Sequence, residues 1–314
     1  MATLKLQCIP AGDDECASHH IGAPGGYECW QFYAQDVAGR LAVFFAIHDG
    51  LASAAEYQRR YAAYRRRPTR NEPPTPGEFP AVQILVVENG KRIAGGTAWM
   101  AAGSLKATVN RLELGENRVE FAGDAINIRF SGGDSSGEMT FRSILGGGGN
   151  AIEVARSEGE EEARHFWMPA RPLCEVVGKI GVENRTIELR GIGAHNHVFG
   201  LEPIGLRARE VLRGWILFPK MSVIFYVADR VGMLAVGDRA GMRFIDVPSI
   251  AVNWRRRFFG GARLREIEFL GHDILLREAR VVEATGFEGF FLCDAFVGGE
   301  QGVGWVEVQR SSLV

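Results

Sequence analysis

The sequence predicts an all-β fold, on three observations. Forty glycines break the 314-residue chain into many short runs rich in Val, Ile, Phe and Tyr, the residue types that suit a pleated, half-buried surface. Asn89-Gly90, between two apolar runs, is the pair best suited to the positive backbone angles of a two-residue hairpin turn. Only residues 51–67 repeat Leu51, Ala54, Ala55, Gln58, Tyr61, Ala62 and Arg65 at helical spacing.

Composition narrows the function classes. At 314 residues the chain allows one large or two medium domains, and a hydrophobic content of 46% is enough for real cores. Acids and bases nearly cancel, leaving a formal charge of -2, so nothing draws the chain broadly to nucleic acid, which is set aside as a partner. Residues 1–8 lack the long apolar core of a secretory signal, and no apolar run has the length of a membrane-spanning helix. The expectation is a cytoplasmic protein with at most peripheral membrane contact. Five cysteines, Cys8, Cys16, Cys29, Cys174 and Cys293, are odd in number and show no zinc-type spacing, which reads as free thiols. Oligomeric state has no signature in the sequence.

The strands follow in order. The first spans 27–33, with Glu28, Trp30 and Phe32 on one face and Tyr27, Cys29, Gln31 and Tyr33 on the other. A second covers 40–48. The helix at 51–67 ends in Arg59, Arg60, Arg65, Arg66 and Arg67, a basic end that suits the helix dipole and would also suit anionic headgroups. Pro68, Pro73, Pro74, Pro76 and Pro80 then impose a non-helical loop. The Asn89-Gly90 hairpin joins 81–87 to 91–101, and short strands follow at 111–114, 118–121, 125–130 and 138–144. The four glycines at 146–149 form a turn and not a phosphate loop, since no Lys-Ser or Lys-Thr follows. The acidic run 157–164 is placed near the join of two halves. Beyond it come strands at 186–190, through the histidine segment 191–200, and at 215–229, 232–236, 241–247, 251–259, 264–270, 273–282, 289–296 and 304–309.

His195 and His197 are the most informative pair. Two residues apart in a strand, they point the same way, and such a pair carries a proton, a hydrogen bond or a metal at a pocket wall, or else forms a hydrogen-bonded core pair. A metal would need a third ligand from His48, His165, His272 or a carboxylate, and no spacing identifies one, so neither metal nor cofactor is assigned. His19 and His20 are placed in the loop entering the first strand. Glu28, among rings, is either an acid whose pKa is raised by burial or a buried hydrogen-bond acceptor.

Four blocks carry a resemblance: His20-Ile21-Gly22-Ala23-Pro24-Gly25-Gly26-Tyr27-Glu28-Cys29-Trp30-Gln31-Phe32-Tyr33, His165-Phe166-Trp167-Met168-Pro169, the segment 191–200, and Gly302-Val303-Gly304-Trp305-Val306-Glu307. Together they resemble the lipocalin-like superfamily of carotenoid 1,2-hydratases, AttH-like proteins and fungal decalin-forming Diels-Alderases. The resemblance implies two calycin β-barrel domains with one inserted helix, at 1–169, with the helix near 51–67, and at 170–314, with the histidines in the second. In the relatives the central motif reads Gly-Tyr-His-Asp-His-Asn-Trp-Gly, whereas this chain has Gly193-Ala194-His195-Asn196-His197-Val198-Phe199-Gly200. Both histidines match; the acid does not. Glu28, Asp229 and Asp294 are the candidate replacements.

The expected site is an apolar pocket lined by Trp30, Phe32, Trp99, Phe199, Trp215, Phe225 and Tyr226. In it His195 and His197 polarise or relay a proton, Glu28 acts as acid and Asn196 orients water or substrate. The resemblance and the aromatic set together imply a hydratase or cyclase acting on an apolar isoprenoid or polyene by acid-assisted chemistry. A Diels-Alderase-type pericyclase, or a non-enzymatic carrier of hydrophobic ligands, is the alternative. No Gly-x-Ser-x-Gly elbow supports a serine hydrolase, and no dinucleotide fingerprint supports a nicotinamide enzyme.

Overall fold

The computed structural model describes residues 4–10, 17–145, 150–156, 165–203, 208–229, 231–247, 249–256, 262–284 and 288–310. Cys16, the glycine turn at 146–149, the acidic run 157–164 and residues 257–259 of one expected strand lie outside the described residues.

The first part of the chain forms β1 (Leu4–Pro10), β2 (Tyr27–Asp36), β3 (Leu41–Asp49), helix α1 (Ala55–Arg66), β4 (Ala81–Glu88) and β5 (Lys91–Trp99). Next come β6 (Lys106–Thr108), β7 (Arg111–Leu114), β8 (Asn117–Ala122), β9 (Ala125–Gly132), β10 (Ser135–Leu145), β11 (Asn150–Arg156), β12 (His165–Val182) and β13 (Arg185–Gly200). The remainder forms β14 (Glu210–Phe218), β15 (Met221–Ala228), β16 (Val231–Asp238), β17 (Gly241–Val247) and β18 (Ile250–Arg256), then β19 (Ala262–Phe269), β20 (Ile274–Ala284), β21 (Glu288–Val297) and β22 (Glu300–Arg310). The all-β expectation with one inserted helix holds.

Two curled antiparallel sheets result. The first runs β5-β4-β3-β2-β13-β12-β10-β9-β8-β7-β6, with β11 beside β12 and β1 beside β11; the second runs β17-β16-β15-β14-β22-β21-β20-β19-β18. Each curls over its own core, Trp30, Phe32, Phe45, Phe130 and Phe141 in the first and Phe225, Phe269, Phe291 and Val306 in the second. A third core, with Tyr33, Phe44, Trp167, Trp215, Tyr226 and Trp305, lies where the two sheets meet, and we call this zone the seam. Because side chains alternate across a strand, β2 is buried on both faces, one feeding the first core and the other the seam.

Local chemistry explains most boundaries. Asn89 and Gly90 take φ of 50° and 76°, the angles their turn requires. Helix α1 begins later than the periodicity suggests, since Ala54 is still extended. It docks through the Tyr57 hydroxyl, which donates to the Gly26 carbonyl at 2.5 Å. At Gly25, with φ of 83°, a Cβ would sit 2.1 Å from the Tyr61 ring. Residues 215–229, read from sequence within one strand, are a hairpin of β14 and β15 that turns at Pro219-Lys220. No helix among the described residues is long and apolar enough to cross a membrane.

The sheets do not change over where the sequence divides the chain. β12 runs unbroken through residues 169 and 170, and β13, with both histidines, lies in the first sheet between β12 and β2. The second sheet starts at Glu210. A tight turn at Glu183, with φ of 52°, makes β12 and β13 one long hairpin, and Glu183-Asn184 is not a strong hairpin signal. Close packing also depends on glycine: a Cβ on Gly191 would fall 1.9 Å from the Gln35 carbonyl oxygen of β2. Pro169 and Pro172 cannot donate to the ladder, and the β12–β13 register shifts on either side of Arg171.

Candidate functional site

β2 and β13 carry the expected site between them, but on two faces. Their register sets Phe32 opposite His195, Trp30 opposite His197 and Glu28 opposite Phe199, all facing the first core. Gln31 opposite Asn196, and Cys29 opposite Val198, face the seam.

On the first-core face both histidines are fully buried. His195 lies flat on Phe32, with centroids 4.3 Å apart, and its Nδ1–H donates to the Gln31 carbonyl at 3.0 Å. Burial pushes its pKa down to about 3, so the ring is neutral. His197 stacks on Trp30 at 4.9 Å and donates from Nε2 to Glu28 Oε1 at 2.9 Å. That oxygen also accepts from His19, by the ring Nδ1 at 3.0 Å and by the backbone N–H at 2.8 Å. Ser18 donates from its hydroxyl to Glu28 Oε2 at 2.9 Å. Burial alone would raise the Glu28 pKa, and it is the largest single influence, but the hydrogen bonds from His19 and His197 outweigh it and hold the carboxyl at about 2. Glu28 is therefore an ionised acceptor and not the raised-pKa acid. His19 stacks on Phe199 at 3.8 Å. The ligand atoms of His19, Glu28 and His197 all lie within 4.8 Å of one another, and among the described residues this is the group able to hold a metal. Adjacency to Glu28 is what the sequence could not reveal for His19, because segment 17–26 folds back across the strand ends.

The seam is built differently. With its amide turned so that the oxygen meets donors, Asn196 accepts from Trp167 Nε1 at 3.0 Å and Trp215 Nε1 at 3.2 Å, and donates to the His195 carbonyl at 3.2 Å. It thus bridges the two sheets. Arg213 and Glu307 form a buried two-pronged ion pair, with Arg213 Nε donating to Oε2 at 2.9 Å, and Gln31 Nε2 donates to the same oxygen at 2.9 Å. A second chain runs from His48, which donates to Gln83 Oε1 at 2.8 Å, to Glu288, which accepts from Gln83 Nε2 at 2.9 Å. Burial, then the nearby Glu307 charge, pushes Glu288 up to about 7. Burial and the Arg213 charge drive His165 well below the usual histidine range, and its Nδ1 meets the Tyr27 hydroxyl. The Tyr226 hydroxyl, His165 Nε2, Trp305 Nε1 and Ser222 Oγ find no hydrogen-bond partner among the described residues. Burial holds Tyr226 protonated and raises the Cys29 thiol well above its ordinary value, so Tyr226 is a donor and Cys29 is not a thiolate.

The seven expected pocket rings therefore do not line one cavity. Trp30 and Phe32 belong to the first core, Trp215 and Tyr226 to the seam, Phe225 to the second core, and Phe199 to a small cluster with Met168. Phe225 and Tyr226 part because adjacent strand residues face opposite ways. Trp99 is 55% exposed at the end of an edge strand. Of the candidate acids, Asp294 pairs with Arg280, and Asp229 is exposed and caps the backbone N–H groups of Arg209 and Glu210. His48, His165 and His272 do not join His195 and His197: the first two face the seam and His272 sits in a turn. Glu288 and Arg213 carry no local sequence signal; Glu288 is marked by Gln83, which reaches it from the other sheet, and Arg213 by Glu307 on the neighbouring strand.

Fold and site together define a lipocalin-like, two-sheet all-β protein with a polar, aromatic seam. The chain is similar to a Nitrosomonas europaea protein assigned to AttH, with a TM-score of 0.63 and 11% identity over 96% of this chain and 98% of that one. CghA, in a crystal structure with Sch210972, aligns with a TM-score of 0.54 and 13% identity over 98% of this chain and 99% of CghA. In sequence the chain is 23% identical over 227 residues to hydroxyneurosporene dehydrogenase of Chlorobaculum tepidum, a match covering 67% of this chain. It spans 59% of the length of that relative. No protein-family model matches the chain.

Proposed function

We propose that this protein is an enzyme that holds an apolar isoprenoid or polyene in the seam and cyclises it. The observation carrying this reading is the set of buried polar atoms without partners, Tyr226 Oη, His165 Nε2 and Trp305 Nε1, set among the rings of Tyr33, Trp167 and Trp215. A mostly apolar ligand with one polar end needs such walls and a few convergent donors. Tyr226, held protonated by burial, donates to a substrate oxygen, while the indole faces favour positive charge developing on carbon. Holding a flexible chain in a reactive fold supplies much of the rate. The name of the hydroxyneurosporene relative supports the substrate class, and the likeness to CghA supports the fold.

A hydratase is the second reading, favoured by Glu288, whose pKa burial and the Glu307 charge raise to about 7, so that it carries a proton in a substantial fraction of molecules near neutrality. In that case the carboxyl gives a proton to one alkene carbon, water bonds through oxygen to the other, and the proton that this water loses returns to the carboxylate. The test is mass spectrometry of products after incubating the protein, Tyr226→Phe, Asn196→Asp and the His195→Ala/His197→Ala double variant with isoprenoid and polyene extracts in isotopically heavy water. Cyclisation yields an isomer without heavy oxygen, and Tyr226→Phe lowers its yield by about a hundredfold. Heavy oxygen in the product identifies a hydratase. Ligand recovered unchanged from every protein refutes the enzyme reading and leaves a carrier.

A further inference from the structure

We propose that His19, Glu28 and His197 form a binding site for one divalent first-row transition ion at the mouth of the first sheet's core, a site separate from the seam and on the opposite face of β2 and β13. Two imidazole nitrogens and one carboxylate oxygen are a donor set that zinc and its neighbours take. The spacing fits as well. Ligand atoms about 2.1 Å from an ion lie about 3.0 Å apart at octahedral right angles and about 3.4 Å apart at tetrahedral angles. Glu28 Oε1 is 3.0 Å from His19 Nδ1 and 2.9 Å from His197 Nε2, the octahedral spacing, and a tetrahedral ion would open it by a few tenths of an ångström. The third separation, between the two nitrogens, falls within 4.8 Å.

The surroundings hold the ligands in place. Trp30 stacks on His197, and Phe199 stacks on His19, fixing both ring planes. Ser18 donates to Oε2, the carboxylate oxygen that the ion would leave free, as an outer partner of a metal ligand does. Asp49, directly across from Glu28 on β3, adds a second carboxyl to the neighbourhood of a cation. His19 is 35% exposed while Glu28 and His197 are buried, so an ion can arrive from solvent at a site whose floor is dry. Three protein donors leave further coordination positions for water or another ligand. A bound ion would pin segment 17–26 across the ends of β2 and β13. The competing reading is a metal-free clamp, in which two imidazoles simply donate to one carboxylate.

The experiment is a cobalt(II) titration of untagged, chelator-treated full-length protein, followed by visible absorption, with zinc competition by calorimetry. The site predicts one equivalent of cobalt with ligand-field bands displaced by zinc. His19→Ala weakens binding by at least about a hundredfold, and Ser18→Ala by about tenfold, while His20→Ala leaves it unchanged. Absence of a stoichiometric cobalt complex overturns the proposal, as does equal loss in His19→Ala and His20→Ala, which marks adventitious surface imidazole. Should His19→Ala misfold, X-ray absorption of the wild-type cobalt complex decides: two imidazoles and a carboxylate support the site, and any other first shell overturns it. None of these readouts depends on turnover, so failure of the seam reading leaves this test intact.

Discussion

Arg213→Met tests whether the seam is held by charge. Arg213 and Glu307 are 3% and 1% exposed, so their pair is a buried one and not a screened surface contact. Removing the guanidinium strands Glu307 beside Glu288, which burial and the Glu307 charge already push up to about 7. Breaking one side of a buried ion pair costs about 3–5 kcal/mol. The pH dependence follows from sign. The Arg213 charge is one of the influences that lower Glu288, so with Arg213 gone the Glu288 folded pKa, already raised to about 7 by burial, lies further above its unfolded value. The folded variant then gains protons relative to the unfolded chain as pH falls, and its deficit shrinks. Each unit of such a shift is worth about 1.4 kcal/mol. Urea denaturation of wild type, Arg213→Met, Glu307→Gln and the double variant at about pH 8 and about pH 5.5 measures this, and the linear extrapolation is valid only if each transition is two-state. We expect a deficit of about 3–5 kcal/mol at the higher pH, a smaller one at the lower pH, and a double variant more stable than Arg213→Met alone. A deficit under about 1 kcal/mol, or one unchanged by pH relative to wild type, refutes the reasoning.

Three further outcomes are expected. Gly191→Ala lowers stability by about 1–3 kcal/mol or more, because its Cβ would meet backbone on β2, whereas Gly77→Ala, which meets nothing within 4 Å, is neutral; thermal melts compare the two. Burial lowers the His48 pKa to about 4, so its stabilising contribution is present above the ordinary 6.5 and is lost as pH falls toward 4. His48→Gln should flatten the stability–pH curve across that window in urea titrations. Asn196→Asp keeps both indole donors and adds a charge in the seam; if the seam is the reaction site, the product pattern changes in mass spectrometry, and an unchanged pattern places the chemistry elsewhere.

Much of the fold was legible because strand parity and turn chemistry act locally. Trp30 and Phe32 share a face with Glu28, and Asn89-Gly90 turns a hairpin, for reasons contained within a few residues. The same parity placed His195 and His197 together. Segment 215–229 hides its turn for the converse reason, since Pro219-Lys220 is a weak turn signal inside a continuous apolar run.

What the sequence by itself determined, then, is the all-β character, most strand positions and the common direction of the two histidines. Only the tertiary structure decided which strands lie side by side, and the site depends on that. The meeting of His19 with Glu28 and His197, of Arg213 with Glu307, and of Gln83 with Glu288 joins residues 9 to 205 positions apart. Separations of that size carry no periodic signal. Even the state of Glu28 was decided there, because burial alone would have raised its pKa and the donors that lower it come from a loop and from another strand.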